Sequence, residues 1–144
     1  MNTQDKIRAF MQQKLQAQKE EGAAFLAQNK TQPGVIELPD GMQYLVLQEG
    51  AGRKPDPSDS VKAHYSGSLL NGKEFDSSFR RNQPFTAPLR ALIKGWQIAL
   101  PMMSEGSRWR LWIPSELAYG DRGAGADIPG GATLIFEVEL IEVL

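Results

Sequence analysis

Residues 91–100, ALIKGWQIAL, are the apolar stretch in the second half of the chain that has the period of a helix. Leu92, Trp96 and Ala99 fall at positions i, i+4 and i+7, so they share one face. Pro101 is expected to end the helix, because proline disfavours helical geometry at the residue before it. A helix of about two or three turns is not stable alone in water. The strands predicted on both sides of it must therefore pack around it.

Two interpretations of Trp96 are open at this point. A tryptophan on the apolar face of a short helix can simply be a core residue. If other strands bring aromatic side chains to the same place, Trp96 instead forms the floor of a dry concave pocket. The neighbouring segments favour the pocket, because several of them carry an aromatic residue on the face predicted to point inward.

Composition limits the classes of function. The chain has 144 residues, with 16 Lys and Arg against 17 Asp and Glu, and so a formal net charge of −1. That length suits one domain with an appendage, and the balanced charge gives no basic surface for nucleic acid. There is no cysteine and only one histidine, which excludes disulfides, thiolate catalysis and histidine metal cages. We expect neither a metal nor a cofactor.

No apolar run approaches the roughly 20 residues that span a bilayer, and the N-terminus has no signal-type apolar region. The sequence therefore predicts a cytoplasmic protein that does not bind membranes. A periplasmic location is the alternative if Met1 is not the natural start.

The first 30 residues are predicted to form an N-terminal helix, separate from a domain at 31–144. The helix is expected from about Asp5 to Asn29, with Thr3 as its N-cap and many good helix formers inside. Its apolar residues form two groups, Ile7, Phe10, Met11 and Leu15, then Phe25 and Leu26. Polar residues and Gly22 lie between the groups, so the apolar stripe is broken in the middle.

This helix is open to two interpretations. It is either a solvated lever that docks only at its ends or a surface for self-association. The broken stripe favours a monomer. If the protein is a homodimer, Phe10, Met11 and Leu15 are the residues expected at its seam.

Alternating patterns predict strands in the rest of the chain. From Val61 to Leu69 one face carries Tyr65 and small or aliphatic residues, and the other carries His64. His64 is therefore expected at the surface or at a sheet edge. An Asn-Gly hairpin signal follows, and the returning strand brings Phe75 and Asp76.

The remaining segments complete the predicted fold class. Trp109, Leu111 and Ile113 share one face of a strand, and the last strand covers Thr133 to Leu144. The glycine-rich segment 117–131 lacks the spacings of a phosphate-binding loop. Strands without alternating helices predict an α+β fold, with a curved antiparallel sheet wrapped around the short central helix and the long helix before it.

Six short motifs resemble those of the FKBP-type peptidyl-prolyl cis-trans isomerases. They are Asp59-x-Val61-x-x-His64-Tyr65-x-Gly67, Phe75-Asp76-Ser77-Ser78, Ile93-x-Gly95-Trp96, Leu117-Ala118-Tyr119-Gly120, Ile128-Pro129 and the strand from Thr133 to Leu140. Each motif alone is weak, but together they run in order from about Val35 to Leu144. The preceding Gly22-x-x-Phe25-Leu26-x-x-Asn29 and Gly41-Met42-Gln43-Tyr44 resemble the bacterial macrophage infectivity potentiator-like branch, which has a long helix before the isomerase domain.

The resemblance implies a set of site residues. Those that would bind the substrate are Tyr65, Phe75, Phe85, Leu92, Trp96, Ile128 and Phe136. Those that would make the polar, catalytic contacts are the Asp76 carboxylate, the Tyr119 hydroxyl and the backbone N–H of Ile93, with Arg81 paired to Asp76. The expected partners are proline-containing peptides, unfolded protein clients and the macrolide inhibitors of the family.

The chemistry suits these residues. Rotation about a peptide bond meets a barrier of about 18–20 kcal/mol because it breaks amide resonance. The twisted amide is less polar than the planar one, so a dry aromatic pocket with one or two donors can favour it without a nucleophile, metal or base. The alternative hypothesis is a non-catalytic module on the same fold that binds proline peptides or acts as a chaperone.

Overall fold

The computed structural model describes residues 2–144. The chain begins with a long helix and continues as an antiparallel sheet with two short helices. The helices are α1 (Thr3–Asn29), α2 (Ser78–Arg81) and α3 (Lys94–Ala99). The strands are β1 (Ile36–Glu37), β2 (Gln43–Gln48), β3 (Ser60–Leu69), β4 (Glu74–Ser77), β5 (Phe85–Pro88), β6 (Arg108–Ile113) and β7 (Leu134–Val143). The predicted α+β class is confirmed.

The N-cap of α1 is Asn2, so the predicted cap at Thr3 is wrong. The Asn2 side chain accepts a hydrogen bond from the Asp5 N–H at 2.8 Å, and Thr3 is the first helical residue. Asn is as good a cap as Thr because its carbonyl reaches the same free amide. The helix ends at Asn29, as the sequence predicts.

The sheet has the strand order β1-β2-β6-β7-β3-β4, and β5 also pairs with β3. One edge of β3 pairs with β7 from Val61 to Leu69. Its other edge is shared, since β5 pairs with residues 60–63 and β4 with residues 66–68. Two separate segments thereby deliver side chains to the same region of β3.

The central helix is shorter than predicted. Leu92 and Ile93 have extended backbones, and α3 begins only at Lys94 with Ile93 as its N-cap. Pro101 does not end the helical path, because a 3-10 turn over Leu100–Met102 continues it. A proline is tolerated at the start of such a turn since its missing N–H has no partner to lose there.

The inner face of the sheet packs on α3, and the predicted inward residues of β6, Trp109, Leu111 and Ile113, are all buried. Trp112 alternates with these residues along β6 and so belongs to the opposite, outer face, yet only 5% of it is exposed. The reason is α1. The Gln43 amide, which lies opposite Trp112 in the sheet, donates to Leu26 O at 2.8 Å, so α1 covers this end of the outer face.

Only the second half of α1 docks, so the expectation of docking at both ends is wrong. The residues that lose exposure follow one helical stripe, namely Leu15, Gln18, Lys19, Gly22, Phe25, Leu26 and Asn29. Gly22 does not break this stripe but packs directly against Thr133, because a Cβ there would be only 2.2 Å from Thr133 Oγ1. Ile7, Phe10 and Met11 in the first half are more than half exposed.

Within residues 2–144, no helix is long and apolar enough to cross a membrane. The same residues contain no cluster of three or more His, Asp or Glu side chains arranged to hold a metal ion.

The outer face of the sheet carries an ion network around Glu137. Its carboxylate accepts hydrogen bonds from Arg110 and, at 3.2 Å, from Arg108. The Arg110 hydrogen bond lowers the pKa of Glu137, and it outweighs the partial burial that acts in the opposite direction. Because the folded-state pKa lies below the unfolded one, this contribution to stability is present above the unfolded pKa and is lost as the pH falls through the folded one.

Glu137→Gln should therefore lower the free energy of unfolding at about pH 7 by about 1 kcal/mol, since it leaves two arginines without their carboxylate. The difference from the wild type should shrink as the pH falls below about 4. Urea unfolding at several pH values measures this. A difference that stays constant down to about pH 2.5 would show that the Glu137 charge does not contribute.

Candidate active site

A cavity of about 360 Å³ opens over α3 on the inner side of the sheet. Its lining is mostly aromatic and aliphatic. The lining residues are Tyr65, Phe75, Asp76, Phe85, Ala91, Leu92, Ile93, Trp96, Tyr119 and Phe136. Trp96 is only 4% exposed and forms the floor.

The aromatic rings stand edge to face around Trp96. The centroids of Tyr65 and Trp96 are 5.2 Å apart at 80°, and those of Trp96 and Phe136 are 5.3 Å apart at 87°. Phe85 meets Tyr65 at 5.4 Å and 89°, and Phe75 meets Phe136 at 5.8 Å and 88°. Edge-to-face contacts are favourable for aromatic pairs. Each ring is therefore held by at least one other, and the walls of the cavity have a defined shape.

Gly67 on β3 makes room for these walls. A Cβ at this position would lie 2.6 Å from Phe75 Cζ and 2.7 Å from Phe136 Cε1. Any larger residue would push the two rings apart. The sequence motif contains Gly67, but its steric purpose follows only from the packing.

Asp76 is fixed by two neighbours at the edge of the cavity. The Tyr65 hydroxyl donates to Asp76 Oδ2, and the Arg81 guanidinium donates to Asp76 Oδ1. Arg81 belongs to α2, which follows β4 directly, so the predicted acid–arginine pair forms. The Arg81 guanidinium carbon also lies 5.9 Å from the centre of the Tyr65 ring.

These contacts settle the protonation states. Partial burial raises the pKa of Asp76, but the hydrogen bonds from Tyr65 and Arg81 and the charge of Arg81 outweigh it, so the pKa is lowered overall. Burial and the hydrogen bond to Asp76 raise the pKa of the Tyr65 hydroxyl. Asp76 is therefore an anion and Tyr65 a neutral donor near neutral pH.

Ser78, which carries no role in the sequence prediction, ties the back of Tyr65. Its Oγ accepts from the Tyr65 N–H at 2.7 Å and lies 3.2 Å from the Tyr65 carbonyl oxygen. It also lies 2.8 Å from His64 Nδ1. His64 stacks on Phe79 on the outer face, with centroids 4.7 Å apart, so it lies away from the cavity as the strand parity predicts.

The rim of the cavity carries the polar groups that remain available. Tyr119 is 39% exposed and borders the opening. Ile93 caps α3, and the first amides of a helix have no intrahelical acceptor. These positions allow a bound carbonyl to meet the Tyr119 hydroxyl or the Ile93 N–H.

The cavity brings together every predicted site residue except one. Ile128 is buried in the core beside Ala124 and does not line the cavity. Its backbone forms an isolated β-bridge with Ala124. Ala91 does line the cavity although no pattern singled it out. It ends the 3-10 turn Leu89–Ala91, directly before the extended pair Leu92 and Ile93.

The fold and site define an α+β domain with a mostly apolar cavity, whose one carboxylate, Asp76, is already paired with Arg81. The family model described as FKBP-type peptidyl-prolyl cis-trans isomerase matches residues 51–141, and the model of the domain amino terminal to it matches residues 1–46. The chain therefore belongs to the family of FKBP-type peptidyl-prolyl cis-trans isomerases. The resemblance in the sequence is confirmed.

Individual proteins of known sequence or structure are also similar to this chain. The FKBP-type 22 kDa peptidyl-prolyl cis-trans isomerase of Escherichia coli (strain K12) is 46% identical over 136 residues, which are 94% of this chain and 66% of that protein. The peptidyl-prolyl cis-trans isomerase Mip of Coxiella burnetii is 49% identical over 86% of this chain and 54% of its own length. The crystal structure of FkpA from Escherichia coli superposes with a TM-score of 0.90 and 36% identity, covering 94% of this chain and 63% of that one. This chain thus spans between about half and two thirds of these relatives.

Substitutions in the cavity should rank by their effect on its shape. Phe136→Ala opens the wall and admits water, so it should lower kcat/KM for isomerisation of a short X–Pro peptide most, by about 100-fold. Asp76→Asn should lower it by about tenfold, because it changes the local field and weakens the tie to Arg81 while keeping the shape. Tyr119→Phe should cost about threefold, since it removes only a hydroxyl.

Each of these variants needs a thermal unfolding curve first, because a large-to-small core substitution typically costs about 3–5 kcal/mol of stability. A well-folded Phe136→Ala variant with a smaller loss than Tyr119→Phe would contradict the ranking.

Proposed function

We propose that this chain is a peptidyl-prolyl cis-trans isomerase that speeds rotation about X–Pro bonds in peptides and folding proteins. The observation that carries the proposal is the cavity itself, a set of edge-to-face aromatic rings over Trp96 with its one carboxylate already paired. Such a cavity accepts a proline ring and offers no free nucleophile. Membership of the family supports the same activity.

The proposed mechanism is non-covalent. The planar amide is stabilised by charge separation, and the twisted transition state loses it, so transfer from water to an apolar cavity favours twisting. Donors at the Tyr119 hydroxyl and the Ile93 N–H hold the displaced carbonyl. An acceleration of about a thousandfold requires only about 4 kcal/mol of differential stabilisation.

In this mechanism Asp76 acts through the electric field of its negative charge in the cavity and does not transfer a proton. Its two oxygens are already engaged by Tyr65 and Arg81, which keep it ionised. The hydrogen bond to Asp76 also holds the Tyr65 ring in its contacts with Phe85 and Trp96. The charge of Asp76 and the orientation of Tyr65 are thus set before the substrate arrives.

The substrates proposed are short X–Pro peptides and unfolded clients, and macrolide inhibitors of the family are expected to compete for the cavity. The division into a helix at 1–30 and an isomerase domain at 31–144 belongs to the same proposal. A chaperone role, a cytoplasmic location and a monomeric state stay predictions from the sequence.

The direct test is an exchange measurement by NMR, or a protease-coupled assay, on a short X–Pro peptide. The rate should be flat between about pH 6 and 8, because neither Asp76 nor Tyr65 has to change its protonation there. Binding of the peptide without acceleration would favour the alternative, a non-catalytic proline-binding module. A sigmoidal pH dependence that disappears in His64→Gln would overturn the proposed mechanism.

A second prediction concerns the helix. A truncated chain beginning at Pro33 keeps every residue that lines the cavity, so its kcat/KM on a short peptide should stay within about tenfold of the full chain. Its melting temperature should fall, because the removal of α1 uncovers Gln43 and Trp112. A loss beyond about tenfold in a folded truncated chain would place the domain boundary before residue 31.

A further inference from the structure

The segment 119–131 is a loop that closes on its own base. It leaves the cavity at Tyr119 and returns just before β7. The Gly131 N–H donates to the Gly120 carbonyl at 2.9 Å, and the Gly120 N–H donates to the Ser115 carbonyl at 2.8 Å. We call residues 119–131 the Tyr119 loop.

The docked half of α1 touches both arms of this base. Lys19 Nζ lies 2.9 Å from Asp121 Oδ1, two positions after Tyr119. On the other arm, a Cβ added to Gly131 would lie 3.0 Å from both Leu15 Cδ1 and the Leu15 carbonyl oxygen. The contact between Gly22 and Thr133 anchors the helix one turn further on.

The close approach of α1 at Gly22 and Gly131 matters more than the ion pair. The side chains of Lys19 and Asp121 are 36% and 63% exposed, so water screens their attraction. At Gly22 and Gly131, by contrast, the glycine has no side chain, so α1 and the segment that it contacts lie close together. A shift of α1 therefore either moves the base of the Tyr119 loop or opens a gap beside it.

We propose that α1 positions Tyr119, so that the docking of the helix tunes the affinity of the cavity for its substrate. This inference rests on the proposed isomerase function. Lys19, Leu15 and Gly22 are positioning residues, which act through the loop and do not touch the substrate. Because Tyr119 lies at the rim, its displacement weakens the binding of the planar peptide as well as of the twisted amide, so KM rises more than kcat falls.

The coupling must also work in reverse. If docked α1 favours binding at the cavity, a ligand in the cavity favours docked α1 by the same factor. The first half of α1 does not dock and exposes Ile7, Phe10 and Met11. A molecule that binds this half and shifts the docking of α1 therefore changes the affinity of the cavity without entering it.

The first test uses Gly22→Ala, whose methyl group meets Thr133 Oγ1. We expect KM for a short Ala-Leu-Pro-Phe peptide to rise about threefold with kcat changed less than about twofold. Amide hydrogen exchange at Gly120, Gly123 and Gly131 should speed up in the absence of peptide. Thr133→Ala in the same chain removes the clashing oxygen and should move both values back toward the wild type.

The second test uses surface charges that leave the fold intact. Lys19→Glu should speed exchange at the same three glycines, and the reversed pair Lys19→Glu with Asp121→Lys should restore it. Lys6→Glu is the matched control, because Lys6 lies in the free half of the same helix. Unchanged loop exchange and unchanged KM in both Gly22→Ala and Lys19→Glu would overturn the proposal, as would equal effects of Lys6→Glu.

The two measurements, peptide kinetics and amide hydrogen exchange, distinguish a failure of this inference from a failure of the proposed function. A wild-type chain that does not accelerate X–Pro rotation refutes the isomerase, whereas loop exchange is measured without substrate. Coupled exchange in an inactive chain would support the helix–loop contact alone and overturn its role in catalysis.

Discussion

The close approach of α3 to the sheet at Gly95 is the constraint on which the site depends. A Cβ at Gly95 would lie 2.7 Å from both Cδ1 and Cγ2 of Ile113, so any side chain would lift the helix off β6. Lifting the helix would raise Trp96 and fill the cavity from below. Because Trp96 contacts Tyr65, Phe85 and Phe136, its height also sets the spacing of the walls. One missing methyl group therefore fixes the depth of the cavity.

The shared edge of β3 provides the second requirement. A strand has one hydrogen-bonding edge on each side, and here β5 and β4 divide the free one between them. This division brings Phe85 and Phe75 to opposite ends of the same aromatic group. The chain between them forms α2, which supplies Ser78 to the backbone of Tyr65 and Arg81 to Asp76.

The polar groups of the site hold shape and leave little for proton transfer. The hydrogen bonds from Tyr65 and Arg81 lower the pKa of Asp76, and burial and the hydrogen bond to Asp76 raise the pKa of Tyr65. Both groups therefore keep one protonation state near neutral pH. A reaction whose barrier comes from lost resonance needs a dry and well-shaped cavity more than it needs an acid or a base. The helix α1 contacts the base of the loop that carries Tyr119, through Lys19 and Leu15.

The fold class and the inward sides of β3 and β6 were predictable from periodicity, which is a local property. The aromatic members of the cavity and the Asp76–Arg81 pair were implied by the resemblance of short motifs to the FKBP family. The extended backbone of Leu92 and Ile93, the burial of Ile128 in the core and the position of Ala91 in the cavity lining follow only from the tertiary packing. The same holds for Gly22, which interrupts an apolar stripe in the sequence but packs directly against Thr133 in the structure. The physical reason is that these features depend on which distant backbone lies opposite each residue, and strand register and helix docking set this over separations that no local pattern records.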